Sequence, residues 1–200
     1  GEAIARVLTG EVNPSGHLPV TFAASLDQTP RPILDGDPKL DNDAHPHSDY
    51  NIEGAAVGYK WFDKKGYKPL FAFGHGLSYT GFVLSGLKAA PAGKGLSATF
   101  AIKNTGKVAG KQVAQVYVSG TGWEAPKRLG AFAKVALAAG ESKPVNVTVD
   151  PRLLATFDSA TKTWKIAEGD YTVMLATSAA DIVDKVTVHL TAQTLDVKGH

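Results

Sequence analysis

The sequence predicts a mainly β fold. From Phe82 onward, short runs of β-branched and aromatic residues are separated by glycine-containing turns. One run, residues 113–118, alternates in the way expected of a half-buried strand. About seven runs at this spacing are typical of an immunoglobulin-like or fibronectin type III-like β-sandwich. Because the chain has no cysteine, it lacks the disulfide-centred core of antibody domains, which favours the fibronectin-like variety.

The runs that we assign to strands follow one another through the C-terminal part of the chain. They are residues 82–84, 97–102, 113–118, 129–137, 145–149, 163–166, 171–175 and 186–190. Turn-forming sequences at residues 104–106, 139–140 and 168–170 lie between them. The boundary of the sandwich is therefore expected near residues 80–82.

The first 22 residues have a different pattern. Apolar side chains near the start recur at helical spacing, and Gly10 ends the predicted helix. Residues 18–22 favour a short edge strand, since Pro19 has no N–H to donate. A helix and a strand of this length cannot bury their own apolar faces. Because the sequence also begins without Met or a leader segment, we expect it to belong to a larger polypeptide.

Composition excludes several classes of function. Lys and Arg number 21 and Asp and Glu 19, which gives a formal charge of +2 without a run of basic residues. This balance argues against nucleic acid or an anionic membrane surface as a partner. No apolar run approaches the roughly 20 residues of a membrane-spanning helix. The absence of cysteine removes disulfides, thiolate metal sites and a cysteine nucleophile.

The middle of the N-terminal part contains polar residues that need a chemical interpretation. Residues 23–50 have no helical or strand period, and loops of this length are often functional. Their aspartates, between Asp35 and Asp43, lack the spacing of a calcium loop. His45 and His47 would need a third ligand to hold a metal. We therefore predict no metal site and no cofactor, and we interpret His75 as a buried, hydrogen-bonded histidine in a glycine-rich turn.

Two residues are candidate substrate contacts. Glu53 follows the irregular loop and precedes a segment, residues 57–79, whose aromatic density is typical of a buried joint. It could contact a polar ligand there, or pair with a basic side chain, or cap a turn. Trp123 lies between two predicted strands and could stack on a sugar ring. The alternative, which we favour, is that Trp123 folds back over the edge of the sandwich.

Several segments together resemble glycoside hydrolase family 3. Residues 10–22 are similar to its stretch G-x-x-x-P-S-G-x-L-P-x-T-F, and residues 69–80 to P-L-F-x-F-G-x-G-L-S-Y-T. Residues 50–63 resemble a third family segment, with Lys60 in place of the usual arginine. In the sandwich, residues 104–110 are similar to N-T-G-x-x-A-G. Shorter matches occur at residues 115–118, 128–132 and 169–171, so the resemblance extends along the chain in the family's order.

The resemblance implies the C-terminal portion of a retaining, exo-acting β-glucosidase-like enzyme. Residues 1–63 would be the tail of an α/β sandwich domain, residues 64–81 an aromatic-rich linker, and residues 82–200 a fibronectin type III-like domain. The upstream barrel and the rest of the α/β sandwich domain would be the partners of this segment. A periplasmic or secreted location is expected.

The resemblance also implies where the chemistry resides. A retaining glycosidase places two carboxyl groups roughly 5–5.5 Å apart. The family's nucleophilic aspartate and acid/base glutamate would lie upstream, because Glu2 and Glu53 match non-catalytic positions. No catalytic residue is therefore assigned here, and the 200 residues alone are expected to be inactive. Lys60 casts doubt on any two-point contact with a carboxylate at its position.

Three interpretations of function remain open. In the first, the chain stabilises a β-glucosidase that removes terminal β-linked sugars, and residues 23–50 or 120–128 border its outer sugar subsites. In the second, the parent enzyme is of the β-xylosidase type. In the third, the sandwich acts alone as a module that binds carbohydrate or protein, or serves as a purely structural stalk.

Overall fold

The computed structural model describes residues 1–31 and 51–196, and the elements below refer to these residues. The helices are α1 (Glu2–Leu8), α2 (Tyr59–Lys65) and α3 (Pro151–Leu154), with a short 3₁₀ turn at Leu26–Gln28. The strands are β1 (Phe82–Ala92), β2 (Gly95–Asn104), β3 (Gly110–Ser119), β4 (Arg128–Leu137), β5 (Ser142–Val149), β6 (Thr156–Asp158), β7 (Thr163–Ile166), β8 (Gly169–Ser178), β9 (Asp181–Leu190) and β10 (Gln193–Leu195).

Two antiparallel sheets form the predicted β-sandwich. One has the order β1-β2-β5 and the other β4-β3-β8-β9. Alternate side chains of each strand enter the space between the sheets, as the two-residue period of a strand requires. In β2 these are Leu96, Phe100 and Ile102, and from β3 Val116 and Val118 meet them. The mainly β fold class is therefore confirmed, and every run assigned to a strand from residue 82 onward lies within a strand.

A third, smaller sheet lies beside the sandwich. Strand β7 pairs with β6 and β10, giving the order β10-β7-β6. The sequence predicted β7, but β6 and β10 have three residues each. A period cannot be recognised over three residues, so these two strands were not predicted.

Part of the outer face of the four-stranded sheet is also buried. Tyr117 of β3 points away from the sandwich core yet is fully buried, because Tyr59 of α2 and Phe73 cover it. The Tyr59 ring lies 5.3 Å from the Phe73 ring and 5.5 Å from the Tyr117 ring, between ring centroids. The aromatic joint predicted for residues 57–79 is thus a cover for the outer face of this sheet.

The strand predicted at residues 18–22 is wrong. Phe22 alone in this stretch makes an isolated bridge, with Phe71, within the described part of the chain. The N–H of Leu18 donates to the His75 carbonyl at 2.8 Å, and the N–H of Phe22 donates to the Phe71 carbonyl at 2.8 Å. No backbone hydrogen bond of residues 19–21 to residues 70–75 lies between these two contacts, so they do not join into a ladder.

The helix predicted at the start of the chain is confirmed as α1, whereas α2 was not predicted. Helix α2 ends at Gly66, whose φ of 67° places it in the left-handed conformation that glycine adopts most readily. The proposed boundary between residues 63 and 64 falls within this helix and stays a prediction.

Candidate functional site

Glu53, the first candidate contact, lies in a turn six residues before α2. Its side chain is half-buried, and its carbonyl accepts a hydrogen bond from the Ala56 N–H at 3.0 Å. One interpretation considered above was an ion pair between Glu53 and a basic side chain. Within the described residues, the Glu53 carboxylate forms no such pair. Its role in substrate binding therefore stays a prediction.

Trp123, the second candidate, lies in the β3–β4 loop (residues 120–127). Its ring is half-buried against the sandwich core and lies 5.9 Å from the Tyr171 ring, between centroids. The Arg128 guanidinium covers it, with its carbon 4.1 Å from the ring centroid. Trp123 thus folds over the edge of the sandwich, as the favoured interpretation expected, and part of its ring stays exposed. Its role as a substrate contact stays a prediction.

Gly120 makes this packing feasible, and its substitution gives a first prediction. A Cβ at this position would lie 2.7 Å from Tyr171 Cε1 and 2.8 Å from Trp123 Cε2. We expect Gly120→Ala to lower the free energy of unfolding by about 2 kcal/mol, since overpacking displaces both rings. Urea unfolding followed by tryptophan fluorescence would measure this. Gly16→Ala, where a Cβ meets open space, is the matched control; equal stabilities would contradict the prediction.

The β3–β4 loop and α2 are joined by an ionic cluster formed by Lys60, Glu124 and Arg128. The Lys60 ammonium donates to Glu124 Oε1 at 2.7 Å, and Arg128 Nη2 donates to Glu124 Oε2 at 2.6 Å. Arg128 also donates through Nη1 to the carbonyls of Ala155 at 2.8 Å and Leu153 at 3.1 Å. The cluster therefore connects α2, the loop and the end of α3.

Glu124 is held ionised by this cluster. Burial opposes its ionisation, but the hydrogen bonds from Arg128 and Lys60 outweigh burial and lower the pKa of Glu124 to about 2. A carboxyl group with so low a pKa is a poor proton donor near neutral pH. The arrangement suits a structural ion pair better than a general acid.

Lys60 behaves as its chemistry requires. An ammonium is a compact point charge, whereas a guanidinium can contact both oxygens of a carboxylate. Lys60 makes a single hydrogen bond to Glu124, while Arg128 contacts both carboxylate oxygens from the sandwich side, Oε1 through Nε at 3.1 Å and Oε2 through Nη2 at 2.6 Å. Lys60 thus does not contact both oxygens of the Glu124 carboxylate, as its replacement of the usual arginine led us to expect.

Two further contacts reinforce the attachment of α2. Lys127 Nζ donates to Asp63 Oδ2 at 2.6 Å, and the Leu129 N–H donates to the Tyr59 hydroxyl at 2.7 Å. Burial raises the pKa of Asp63, and Lys127 offsets only part of that effect. Tyr59 and Asp63 are four residues apart, so they lie on one face of the helix and meet the sandwich together.

A second set of contacts, the polar junction, is formed by Asn13, Ser78, Thr80 and Asn104. Asn13 Oδ1 accepts from the Ser78 hydroxyl and the Tyr79 N–H, both at 2.9 Å, and Asn13 Nδ2 donates to the Ala109 carbonyl at 2.9 Å. The Thr80 hydroxyl donates to Asn104 Oδ1 at 2.6 Å. Three of the motif-bearing segments, residues 10–22, 69–80 and 104–110, therefore meet at one place.

Gln115 connects the same part of the chain to β3. Its Nε2 donates to the Thr177 carbonyl at 3.2 Å and lies 3.5 Å from the Gly74 carbonyl, while its Oε1 accepts from the Tyr117 hydroxyl at 2.6 Å. Burial raises the pKa of Tyr117, so its hydroxyl stays protonated as a donor. Gly74 is required here, because a Cβ on it would overlap the Gln115 amide and its φ is 82°.

The remaining sequence candidates give a mixed outcome. His75 is half-buried and lies 5.3 Å from the Phe71 ring, between centroids, with no side-chain hydrogen bond among the described residues. The prediction of a buried, hydrogen-bonded His75 is therefore wrong, because the ring is only half-buried and its described contact is with an apolar ring. The aspartates between residues 35 and 43, and also His45 and His47, lie outside the described residues. Residues 1–31 and 51–196 contain no group of three His, Asp or Glu side chains that could hold a metal ion.

Comparison with known proteins identifies the two parts of the chain. Residues 1–79 match the glycosyl hydrolase family 3 C-terminal domain, and residues 112–179 match the fibronectin type III-like domain. The chain belongs to glycoside hydrolase family 3. The motifs at the polar junction and the α2 segment thus hold the family 3 C-terminal domain against the fibronectin type III-like domain.

Individual relatives agree with this assignment. The chain is 37% identical to thermostable beta-glucosidase B of Acetivibrio thermocellus, over 95% of this chain and 25% of the relative. It is 39% identical to beta-glucosidase B of Emericella nidulans, over 96% of this chain and 24% of the relative. Beta-glucosidase 3B of Thermotoga neapolitana, solved with alpha-D-glucose, superposes with a TM-score of 0.84 at 36% identity, covering 98% and 27% of the two chains. The chain thus spans about a quarter of the length of the relatives it matches.

Sequence reasoning missed the residues that make the ionic cluster and the polar junction. Glu124 and Arg128 lie close to Trp123 in the sequence, but the contact of Glu124 with Lys60 joins positions 64 residues apart. The departure of Lys60 from the family pattern was the available signal. Asn104 is a fixed position of the motif at residues 104–110, which was a signal for its contacts, whereas Asn13 falls at a position that the motif of residues 10–22 leaves open.

Proposed function

We propose that this chain is part of a retaining, exo-acting β-glucosidase that removes terminal β-linked sugars from oligosaccharides or glycosides. The support is the family membership together with the beta-glucosidase relatives at 37–39% identity. In this proposal the chain's own contribution is structural. It attaches the family 3 C-terminal domain to the fibronectin type III-like sandwich through the ionic cluster and the polar junction.

One observation carries the proposal that the chain acts within a larger enzyme. Residues 1–79 expose large apolar side chains, with Leu8 78% and Leu77 74% exposed. A groove of about 610 Å³ lies on this part of the chain, lined mainly by Leu18, Phe22, Phe71 and Leu77. Apolar patches of this kind mark interaction surfaces. We infer that the upstream part of the same polypeptide covers them.

The catalytic carboxyl groups are proposed to lie upstream. A retaining enzyme needs one carboxylate as nucleophile and another carboxyl group as acid and base. Two half-buried carboxylates, Glu124 and Asp63, are each bound to basic side chains, which suits structural roles. The loops at residues 23–50 and 120–128 are proposed to border the outer sugar subsites, and the enzyme is proposed to be periplasmic or secreted.

The test is an activity assay on the chain and on its complete polypeptide. We expect the folded 200-residue chain to release no product from an aryl β-glucoside, because it lacks the catalytic pair. The complete polypeptide, or the upstream part mixed with the chain, should hydrolyse it. Activity from the pure chain would contradict the proposal. Faster hydrolysis of an aryl β-xyloside than of the glucoside by the complete polypeptide would favour the β-xylosidase alternative.

A further inference from the structure

A cavity of about 400 Å³ lies beside Trp123, between the β3–β4 loop and the small sheet β10-β7-β6. Its volume is within the range of roughly 300–1,000 Å³ that is usual for small-molecule sites. The residues used in the argument below are Thr121, Trp123, Thr156, Tyr171, Gln193 and Thr194.

The inner part of the cavity is apolar and aromatic. The rings of Trp123 and Tyr171 line it, and the fully buried side chains of Leu154 and Ile166 lie at its base. Aromatic rings offer a large, rigid apolar surface with a polar edge, which suits the C–H faces of a pyranose ring. The cover of Arg128 on Trp123 fixes the orientation of this ring.

The rim of the cavity is polar and uncharged. The side chains of Thr121, Thr156, Gln193 and Thr194 form no hydrogen bond with any residue in the described ranges, 1–31 and 51–196. They carry three hydroxyl groups and one amide, which donate and accept hydrogen bonds. The charged rim residue, Lys165, is already bound to Asp158 at 2.6 Å. The rim is thus suited to a neutral ligand with many hydroxyl groups.

The cavity continues past Trp123. A second cleft of about 530 Å³ is also lined by Trp123 and Thr156, and it extends to Phe157, whose side chain is 45% exposed. Its charged lining residues are already paired: Lys60 and Arg128 with Glu124, and Arg152 with Asp150. Phe157 packs edge-on against Trp164 with ring centroids 5.2 Å apart. Trp123 lines both clefts and Phe157 lines the second, so the aromatic surface extends beyond one cleft, which favours a chain of sugar units over a single sugar.

We propose that this double cleft on the fibronectin type III-like domain is a binding site for a neutral oligosaccharide. The sugar units pack on Phe157 and on the part of the Trp123 ring that Arg128 and Tyr171 leave exposed, and the sugar hydroxyl groups bond to side chains among Thr121, Thr156, Gln193 and Thr194. This inference does not rest on the proposed activity, because it uses only the residues of the cleft. An inactive chain can bind through this site, and an active enzyme can lack it.

The experiment is isothermal titration of the 200-residue chain with cellotriose, laminaritriose and xylotriose in turn. We expect saturable binding of at least one of them. The double variant Thr121→Val/Gln193→Leu removes a hydroxyl and an amide with little change in shape, and should weaken binding about tenfold. Thr187→Val, on the exposed edge strand β9, is the matched control and should bind as the unchanged chain does.

Three results would overturn the proposal. The first is that no trisaccharide binds saturably. The second is that the double variant binds as tightly as the unchanged chain, and the third is that Thr187→Val loses as much binding as the double variant. Thermal melts report whether each variant is folded. If the double variant does not fold, the single variant Thr121→Val, on the exposed loop, takes its place, with a loss of about fivefold expected.

Discussion

Replacing Asn104 by Ala is expected to lower the free energy of unfolding by about 3 kcal/mol, because it leaves several buried polar groups without partners. Asn104 is fully buried. Its Oδ1 accepts from the Thr80 hydroxyl at 2.6 Å and from the Gly106 N–H at 3.1 Å. Its Nδ2 donates to the Val108 carbonyl at 2.8 Å and lies 3.4 Å from the Leu137 carbonyl.

The position of Asn104 makes the effect larger than that of an ordinary turn residue. The side chain closes the turn between β2 and β3 and, through Thr80, ties the end of the family 3 C-terminal domain to the sandwich. Both contacts are lost in the alanine variant, and a methyl group cannot replace either. Chemical unfolding in urea would measure the loss.

A matched control is available in the same domain. Asn146→Ala changes an exposed asparagine on β5 and should alter the free energy of unfolding by less than about 0.5 kcal/mol. If Asn104→Ala were as stable as this control, the polar junction would not be a structural element of the fold. Thr80→Val should produce part of the loss, since it removes one of the donors to Asn104.

The sandwich was predictable because its signal is local. In β2, Leu96, Phe100 and Ile102 are separated by two or four residues, so all three face the core. This pattern can be recognised without knowledge of any other strand. The start of the sandwich near residue 82 was predictable for the same reason. Helix α1 was predictable from apolar spacing and Gly10.

The elements that were not predicted depend on contacts distant in sequence. Helix α2 has seven residues, too few to be stable alone, and it is held by Glu124, Lys127 and Leu129 of the sandwich. The outer face of β3 carries Gln115 and Tyr117, which would be exposed in an isolated sandwich. Their burial follows from the cover supplied by residues 59–74, which no strand pattern reveals.

In the candidate site, too, the local sequence located some features, while others depend on contacts between distant residues. Recognition of the motifs located the segments that matter, but the contacts among them join Asn13 to Ala109 and Lys60 to Glu124 across the chain. For Trp123 the sequence left the environment open, and the ring contacts with Arg128 and Tyr171 show that it packs over the edge of the sandwich. Local composition cannot determine such long-range pairing, since many basic side chains could have met Glu124.

Replacing Glu124 by Ala is expected to lower the free energy of unfolding by about 2 kcal/mol at neutral pH. The substitution leaves the charges of Lys60 and Arg128, both mostly shielded from solvent, without their carboxylate. An exposed ion pair is worth less than about 1 kcal/mol, whereas removal of one partner of a fully buried pair costs about 3–5 kcal/mol. The half-buried cluster should lie between these limits. Glu168→Ala, at an exposed glutamate, is the matched control and should cost less than about 0.5 kcal/mol.

The pH dependence of this loss distinguishes an ion pair from simple packing. The pKa of Glu124 is about 2 in the folded chain, below its ordinary value of 4.5, so its ionised form favours folding. The stability that it contributes is therefore fully present above about pH 5 and is lost as the pH falls from 4.5 towards 2. Unfolding curves at pH 7, 4 and 2.5 should show the difference between Glu124→Ala and the unchanged chain shrinking stepwise. A difference that stays constant over this range would mean that Glu124 stabilises the fold through its packing and not through its charge.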